Sequence, residues 1–160
     1  MPDMLVKLYD LPEKESFIKK LNDRKIKIRT AMAYEKFDVV EWVENLFGRK
    51  WSSECDVAFT NNPISCFIAT KDGTIIGFAC YDSTCKNFFG PMGVSKIKRG
   101  IGIGKALLLS CLHTMAANGY AYAIIGGTRP NNFYAEAAGA IVIEGSTPGI
   151  YRDQLKKIKD

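Results

Sequence analysis

Histidine is almost absent from this chain of 160 residues, in which His113 is the only one. The five cysteines show no C-x-x-C spacing, and most of them lie within apolar runs, as buried reduced thiols do. No cysteine is paired in the sequence with a histidine and an acid, so a cysteine nucleophile is not indicated. We expect structural thiols, with Cys80, Cys85 and Cys111 in core or half-buried positions, and no metal.

Long hydrophobic runs are also missing. No segment reaches the roughly 18 to 20 continuous apolar residues of a membrane helix, and "MPDMLVKLYD" lacks the basic and apolar regions of a signal peptide. The sequence therefore predicts a cytoplasmic protein with no membrane partner. The net charge of +5 is compatible with an anionic ligand, but the basic residues are spread along the chain and do not imply nucleic acid.

What the chain does contain is enough apolar material for one core. With 47% hydrophobic residues over 160 positions, we predict a single domain covering residues 1–160. Two β-branched runs flank Asp72-Gly73 and predict an antiparallel hairpin, and "NFFGPMGV" predicts a further strand that is broken or bulged by glycine and proline. Residues 51–62 favour neither helix nor strand.

A glycine-rich loop precedes the clearest helical pattern, which runs from Ile103 to Asn118 with one apolar and one polar face. In "KIKRGIGIGKALL", glycines leave the backbone without side chains at the start of a helix, where free N–H groups can bind phosphate. A P-loop is excluded, because Arg99 occupies the first glycine position and Ala106 follows Lys105. The glycines alternate strictly, so a Rossmann fingerprint is excluded too.

The segment Arg99–Gly104, "RGIGIG", resembles the R/Q-x-x-G-x-G/A loop of the GNAT superfamily of acyl-CoA-dependent N-acyltransferases. Val94 stands five residues before Arg99, as in that superfamily, and "FYAEAAGA" is similar to its F-Y-E-K-x-G-F segment. The resemblance covers residues 26–145 and makes residues 1–24 an N-terminal extension. It implies an α/β fold with a mixed, largely antiparallel central sheet flanked by helices.

The same resemblance implies acetyl-CoA as co-substrate and an amine, on a small molecule or a peptide, as acceptor. The phenol of Tyr134 would protonate the leaving thiolate as general acid. The loop would bind the pyrophosphate and the strand before it would pair with the pantetheine arm, with Lys96 and Lys98 adding charge. The implied cofactor-binding residues are Met92, Gly93, Val94, Arg99, Gly100, Ile101, Gly102, Ile103, Gly104 and Lys105.

Three departures from the family pattern leave parts of the reaction open. One extra residue separates Tyr134 from Gly139, Gly127 stands where an asparagine is common, and "NFFGPMGV" carries no carboxylate to serve as general base. Asp82 or Glu54 acting through water, or no protein group, could fill that role. A non-catalytic acyl-CoA-binding sensor is the alternative function.

Three aromatic residues, Trp42, Trp51 and Phe47, are candidates either for the acceptor pocket or for core packing. A homodimer is compatible with the sequence.

Overall fold

The computed structural model describes residues 1–129 and 132–156. This part of the chain forms seven strands and five α-helices, besides short 3₁₀ turns. In chain order they are β1 (Met4–Lys7), α1 (Glu15–Asp23), β2 (Ile26–Thr30), α2 (Lys36–Phe47), α3 (Arg49–Thr60), β3 (Cys66–Lys71), β4 (Thr74–Tyr81), β5 (Phe88–Val94), α4 (Ile103–Ala117), β6 (Tyr122–Ile125), α5 (Phe133–Ala138) and β7 (Ile141–Val142).

The strands form one sheet in the order β2-β3-β4-β5-β6-β1-β7. Every neighbouring pair is antiparallel except β5 and β6, which are parallel. The predicted hairpin is the β3–β4 pair, and its turn residues Asp72 and Gly73 both have positive φ, as a tight hairpin turn requires. The predicted mixed, largely antiparallel sheet is therefore confirmed.

Helices cover both faces of the sheet, because alternate side chains of its central strands are apolar on each side. On β4, Ala79 and Tyr81 belong to the core beneath α4, whereas Phe78 and Cys80 belong to the core beneath α2 and α3. The last six residues of β4 are all buried. Strand β4 is thus covered on both faces, and β5 is its neighbour.

Helix α4 differs from the predicted two-faced pattern. Leu109 and Ser110 are as fully buried as the residues predicted to face the core. The reason is that the N-terminal segment covers the side predicted to be polar: α1 packs on α4, and the ring of His113 lies 2.8 Å from the carbonyl oxygen of Pro12.

The predicted N-terminal extension contributes a strand to the sheet. Strand β1 lies between β6 and β7, with Met4 opposite both Ile125 and Val142. The undecided segment 51–62 is mostly helix α3. The predicted end at Asn118 of the helical pattern that starts at Ile103 is confirmed. Pro130, Asn131 and residues 157–160 lie outside the described residues.

No helix in the two described ranges has the length and apolar character needed to cross a membrane.

Candidate active site

Strands β5 and β6 run together for two residue pairs and then separate. Phe88 lies opposite Ile124 and Phe89 opposite Ile125, after which β6 ends while β5 continues to Val94. The pairing of β5 with β4 is bulged in the same place, between Phe89 and Met92. Within residues 1–129 and 132–156, the edge of β5 that faces β6 therefore has no strand partner beyond Phe89, which leaves a slot in the sheet.

A cavity of about 1490 Å³ occupies this slot and extends to the start of α4 on one side and to α3 on the other. This volume exceeds that of ordinary small-molecule pockets, which is about 300–1,000 Å³, so the cavity has room for a long ligand or for two ligands together. Of the predicted site residues, those that line it are Met92, Gly93, Val94, Arg99, Gly100, Gly102, Ile103, Gly104, Lys105 and Tyr134. Ile101 instead lines a separate, smaller cleft beside Arg24 and Lys71.

Two glycines of the loop are required by backbone conformation. Gly100 has φ of 85° and Gly102 has φ of 93°, in the left-handed region that side chains with a Cβ avoid. Gly104 has no such φ, and a Cβ added there would lie 3.7 Å from the ring of Phe133, at an ordinary contact distance. Backbone geometry therefore explains two of the three alternating glycines, whereas neither backbone conformation nor a close contact requires glycine at residue 104.

The N-terminus of α4 keeps its hydrogen-bond donors free. Gly102 caps the helix without a side-chain bond, and its carbonyl accepts the first helical bond, from the N–H of Ala106 at 3.0 Å. Among the described residues, the N–H groups of Ile103, Gly104 and Lys105 have no hydrogen-bond partner. Three free donors at the positive end of a helix of 15 residues form a phosphate-binding arrangement.

Two basic side chains of this loop are held by the protein itself. Nε of Arg99 donates to the carbonyl oxygen of Val94 at 3.1 Å, which ties the loop to the end of β5. Nζ of Lys105 lies 4.2 Å from the ring centre of Phe17, in α1. The predicted N-terminal extension thus positions a positive charge at the end of the cavity where α4 begins.

Tyr134 lies at the root of the slot, where β5 and β6 begin to separate. Its ring packs edge-on against Phe89 at 6.2 Å and against Phe133 at 5.1 Å between ring centres. Burial raises the pKa of its phenol, so the group is protonated at neutral pH. Its hydroxyl makes no hydrogen bond to the described part of the chain. The phenol is therefore able to donate a proton to a group in the cavity.

The opposite end of the cavity carries a carboxylate. Glu54 of α3 lines it and accepts a hydrogen bond of 2.6 Å at Oε1 from the hydroxyl of Thr84. Asp82, the other carboxylate considered from the sequence, does not line the cavity: its two oxygens accept hydrogen bonds from the N–H of Asn87 and the hydroxyl of Tyr120. The structure thus separates two residues that sequence reasoning left equal.

Aromatic rings form one wall beside Glu54. Phe47 and Trp51 stack with their ring centres 5.4 Å apart and line the cavity, whereas Trp42 packs behind Phe47 and does not line it. Gly93 of β5 is the floor under Phe47, since a Cβ there would lie 2.5 Å from the ring. The aromatic candidates therefore divide between the pocket wall and the core.

The C-terminal segment closes this end, and sequence reasoning missed it. Tyr151 lines the cavity and lies against Gly126, at the end of β6. The buried carboxylate of Asp3 accepts a hydrogen bond of 2.8 Å from the N–H of Gly127. Burial, followed by the negative charges of Glu54 and Asp3, raises the pKa of Tyr151 to about 12. The only sequence signal was the run of glycines at 126–127, where a ring can approach the backbone.

Three of the five cysteines meet on the helix-α3 side of the sheet. The sulfur atoms of Cys55, Cys66 and Cys80 all lie within 4.8 Å of one another and are buried. Burial raises the pKa of the Cys80 thiol well above its usual range. Cys85 is exposed, so its predicted core or half-buried position is wrong; it lies in the loop between β4 and β5.

The part of the chain that forms this slot and loop matches a known protein family. Residues 33–138 match the acetyltransferase (GNAT) family. No curated protein matches the chain. Because the family match spans more than half of the chain, the chain belongs to the acetyltransferase (GNAT) family, a family of acyl-CoA-dependent acetyltransferases. The resemblance inferred from Arg99–Gly104 is confirmed.

Solved structures share the fold. A GCN5-related glucosamine N-acetyltransferase region of a fungal multi-domain GH3 β-N-acetylglucosaminidase superposes with a TM-score of 0.72 and 14% identity, over 89% of this chain and 19% of that chain. An N-acetyltransferase from Sphaerobacter thermophilus gives 0.69 and 22%, over 89% of this chain and 48% of that chain. The chain thus spans less than half of both proteins.

A GNAT acetyltransferase from Brucella melitensis, solved with acetyl-CoA, gives a TM-score of 0.54 and 16% identity, over 74% of this chain and 86% of that chain.

Proposed function

We propose that the chain transfers an acetyl group from acetyl-CoA directly to a primary amine, with both substrates bound at once. The observation that carries this proposal is the continuity of the cavity. One space of about 1490 Å³ runs from the free N–H groups of α4, along the unpaired edge of β5, to the carboxylate of Glu54. A cofactor site and an acceptor site that share one cavity favour direct transfer.

In this proposal the cofactor lies along the residues predicted for it. The pyrophosphate binds the N–H groups of Ile103, Gly104 and Lys105, which are free, while Arg99 and Lys98 line the cavity with positive charge. The pantetheine arm, which carries amides, pairs with the free edge of β5 at Met92, Gly93 and Val94 as an additional strand would. Ile101 contributes only its backbone, since its side chain lies in the smaller cleft.

The transfer needs an oxyanion site and an acid. The amine nitrogen attacks the thioester carbon, and backbone N–H groups of β5 near Met92–Val94 stabilise the oxyanion that forms. The carbon–sulfur bond then breaks, and the phenol of Tyr134 donates its proton to the thiolate. The buried position at the root of the slot and the absence of any hydrogen bond to the described residues support this role.

The alternative is a sensor that binds acyl-CoA without turnover. The observation that favours it is that β5, "FFGPMGV", carries no carboxylate. The carboxylate of Glu54 at the other wall of the cavity argues for the enzyme, since it offers a proton acceptor from a different element. The cytoplasmic location and the oligomeric state stay predictions.

The test mixes the protein with acetyl-CoA and a panel of amines and follows the release of free thiol. The panel contains a simple alkylamine, a lysine peptide, glucosamine and an aminoglycoside. The last two are included because two proteins of similar fold are named as a glucosamine N-acetyltransferase and an aminoglycoside acetyltransferase. Tyr134→Phe is expected to lower kcat by about 100-fold or more and to leave the Kd for acetyl-CoA nearly unchanged.

Tyr34→Phe is the matched control, because Tyr34 is 80% exposed and lies outside the cavity. Tight acetyl-CoA binding without turnover across the whole panel would instead support the sensor. If acetyl-CoA does not bind at all, neither function survives.

A further inference from the structure

The charged residues that line the cavity are unevenly distributed in sign. Among the described residues, Glu54 is the only acidic side chain in the lining. The basic ones are Lys50, Lys98, Arg99, Lys105 and Arg129. Three of these, Lys98, Arg99 and Lys105, belong to the loop and the start of α4, where phosphate is expected. Glu54 lies at the opposite end of the cavity, where no phosphate is expected.

The carboxylate of Glu54 is held in place on one side only. The hydroxyl of Thr84, in the loop between β4 and β5, donates to Oε1 at 2.6 Å. Oε2 has no hydrogen-bond partner within the described ranges, and both residues are partly buried. One oxygen is therefore oriented, and the other is available to a ligand in the cavity.

The groups around Glu54 favour a cation with an apolar body. Trp51 lies one turn before it on α3 and stacks on Phe47, and Tyr151 approaches from the C-terminal segment. Aromatic faces and a carboxylate together bind an ammonium group on a flat apolar substituent. Lys50, the nearby cation, is engaged, since its Nζ donates to Gln154 at 2.9 Å.

No other described carboxylate can take this position. Asp82 has both oxygens bonded, one to the N–H of Asn87 and the other to the hydroxyl of Tyr120, and it lies outside the cavity lining. Asp3 is 7% exposed, binds the N–H of Gly127 and does not line the cavity either.

We infer that Glu54, oriented by Thr84, receives the ammonium group of the acceptor and removes its proton, and that the acceptor is a primary amine on an aromatic or similarly flat apolar body. This inference rests on the proposed function. It assigns the proton acceptor to helix α3, whereas family resemblance directs attention to β5. Thr84 is a positioning residue, because it acts through Glu54.

The protons balance as follows. Glu54 takes one proton from the ammonium group, and the neutral amine forms the new C–N bond. As the C–S bond breaks, the thiolate takes the proton of Tyr134, and the tyrosinate recovers a proton from the acylated nitrogen. Glu54 then returns its proton to solvent, so one ammonium group and one thioester yield one amide, one thiol and one proton.

The experiment compares two probes that share a ring and differ in basicity. Phenethylamine is protonated near neutral pH, as alkylamines are, whereas aniline is already neutral. Glu54→Gln keeps an oxygen for Thr84 and is expected to lower kcat/KM for phenethylamine by about 100-fold. For aniline, which needs no initial deprotonation, the loss is expected to be below about 10-fold. A merely structural role of Glu54 would lower both equally.

Two further variants complete the test. Asp56→Asn, two residues along α3, removes a carboxylate that pairs with Lys36 outside the cavity, and is expected to leave both probes unaffected. Thr84→Val is expected to lower kcat for phenethylamine about 10-fold with a smaller change in KM, and Thr84→Ser to restore it.

The outcomes separate this inference from the function on which it rests. Equal losses with both probes in Glu54→Gln, or no loss, overturn the assignment of Glu54. Turnover of glucosamine or a lysine peptide without any turnover of phenethylamine leaves the acetyltransferase intact and overturns the acceptor class. Absence of acetyl-CoA binding overturns the proposed function itself.

Discussion

The two ends of the cavity are built in different ways. At the end proposed for the cofactor, the proposed binding groups come from one stretch of chain, Met92–Lys105, and most of them are backbone groups. At the end proposed for the acceptor, Glu54, Thr84 and Tyr151 come from a helix, a loop and the C-terminal segment, and all three are proposed to act through their side chains.

This difference reflects what each ligand requires. A pyrophosphate is the same in every acyl-CoA, so a helix start with free N–H groups and bare backbone is sufficient for it. An acceptor is recognised by its own shape and charge, which needs side chains converging from several elements. Substitutions at one end should therefore change binding of one substrate and spare the other.

Among the substitutions that compare the two ends by binding and stability, the largest effect is expected from Gly102→Val. A β-branched residue is strained at φ of 93°, so the free energy of unfolding should fall by about 1–2 kcal/mol. Relief of that strain would move the N–H groups of the α4 start, and the Kd for acetyl-CoA should rise at least about 10-fold, as measured by titration calorimetry.

Gly104→Ala is its matched control for stability. A Cβ at residue 104 would meet its nearest neighbour at 3.7 Å, so urea unfolding should show no loss of stability, and a gain of about 0.5 kcal/mol is expected inside a helix. An equal loss of stability in both variants would contradict the role given to the left-handed backbone.

At the acceptor end, Trp51→Ala should raise the KM for phenethylamine about 10-fold and leave the Kd for acetyl-CoA within about 2-fold. The ring is 37% exposed and stacks on Phe47, so its removal opens the wall beside Glu54 without touching the loop. Steady-state kinetics with each substrate varied in turn gives both values. A parallel loss of acetyl-CoA binding would show that the two ends are coupled.

A smaller effect is expected from Lys105→Met, which keeps the packing on Phe17 but removes the charge. The Kd for acetyl-CoA should rise about 3-fold at low salt, and the difference from wild type should shrink as salt screens the interaction. Lys96→Met is the control, because Lys96 does not line the cavity. Equal effects of the two variants would reduce the role of Lys105 to general surface charge.

The smallest effect is expected from Glu35→Gln, which should alter neither end. Glu35 accepts two hydrogen bonds from Arg29, at 2.6 and 2.8 Å, and one from the N–H of Met32. The pair is partly exposed, so its loss should cost only about 0.5–1 kcal/mol.

The pH dependence of this contribution has a definite sign. The hydrogen bonds from Arg29 lower the pKa of Glu35, so the stabilisation by this pair is present above the pKa of the unfolded state, which is about 4.3. It is lost as pH falls through the lower pKa of the folded state. Urea unfolding of wild type and variant should therefore converge in acid; a difference that persists below both pKa values would contradict this origin.

Much of the fold followed from local patterns. The Asp72-Gly73 hairpin, the bulged β5 and helix α4 were predictable from short stretches of sequence, because turn chemistry and side-chain periodicity act over a few residues. The position of β1 between β6 and β7 was not predictable in this way, since its partners lie 115 to 138 positions away in the sequence and such pairing has no local sequence pattern. The burial of Ser110 beneath the N-terminal segment escaped prediction for the same reason.

The candidate site likewise has one part that the sequence predicts and one part that it does not. The glycine-rich loop Arg99–Gly104 and its position before a helix could be predicted from the sequence, because the left-handed backbone at Gly100 and Gly102 admits few residues other than glycine. The approach of Glu54 to Thr84, 30 positions apart, depends on how α3 packs against the sheet. Local conformation depends on neighbouring residues, so the order of residues alone was enough to predict the loop that we propose binds phosphate. Packing joins distant residues, so only the folded molecule showed which carboxylate lies at the proposed acceptor end.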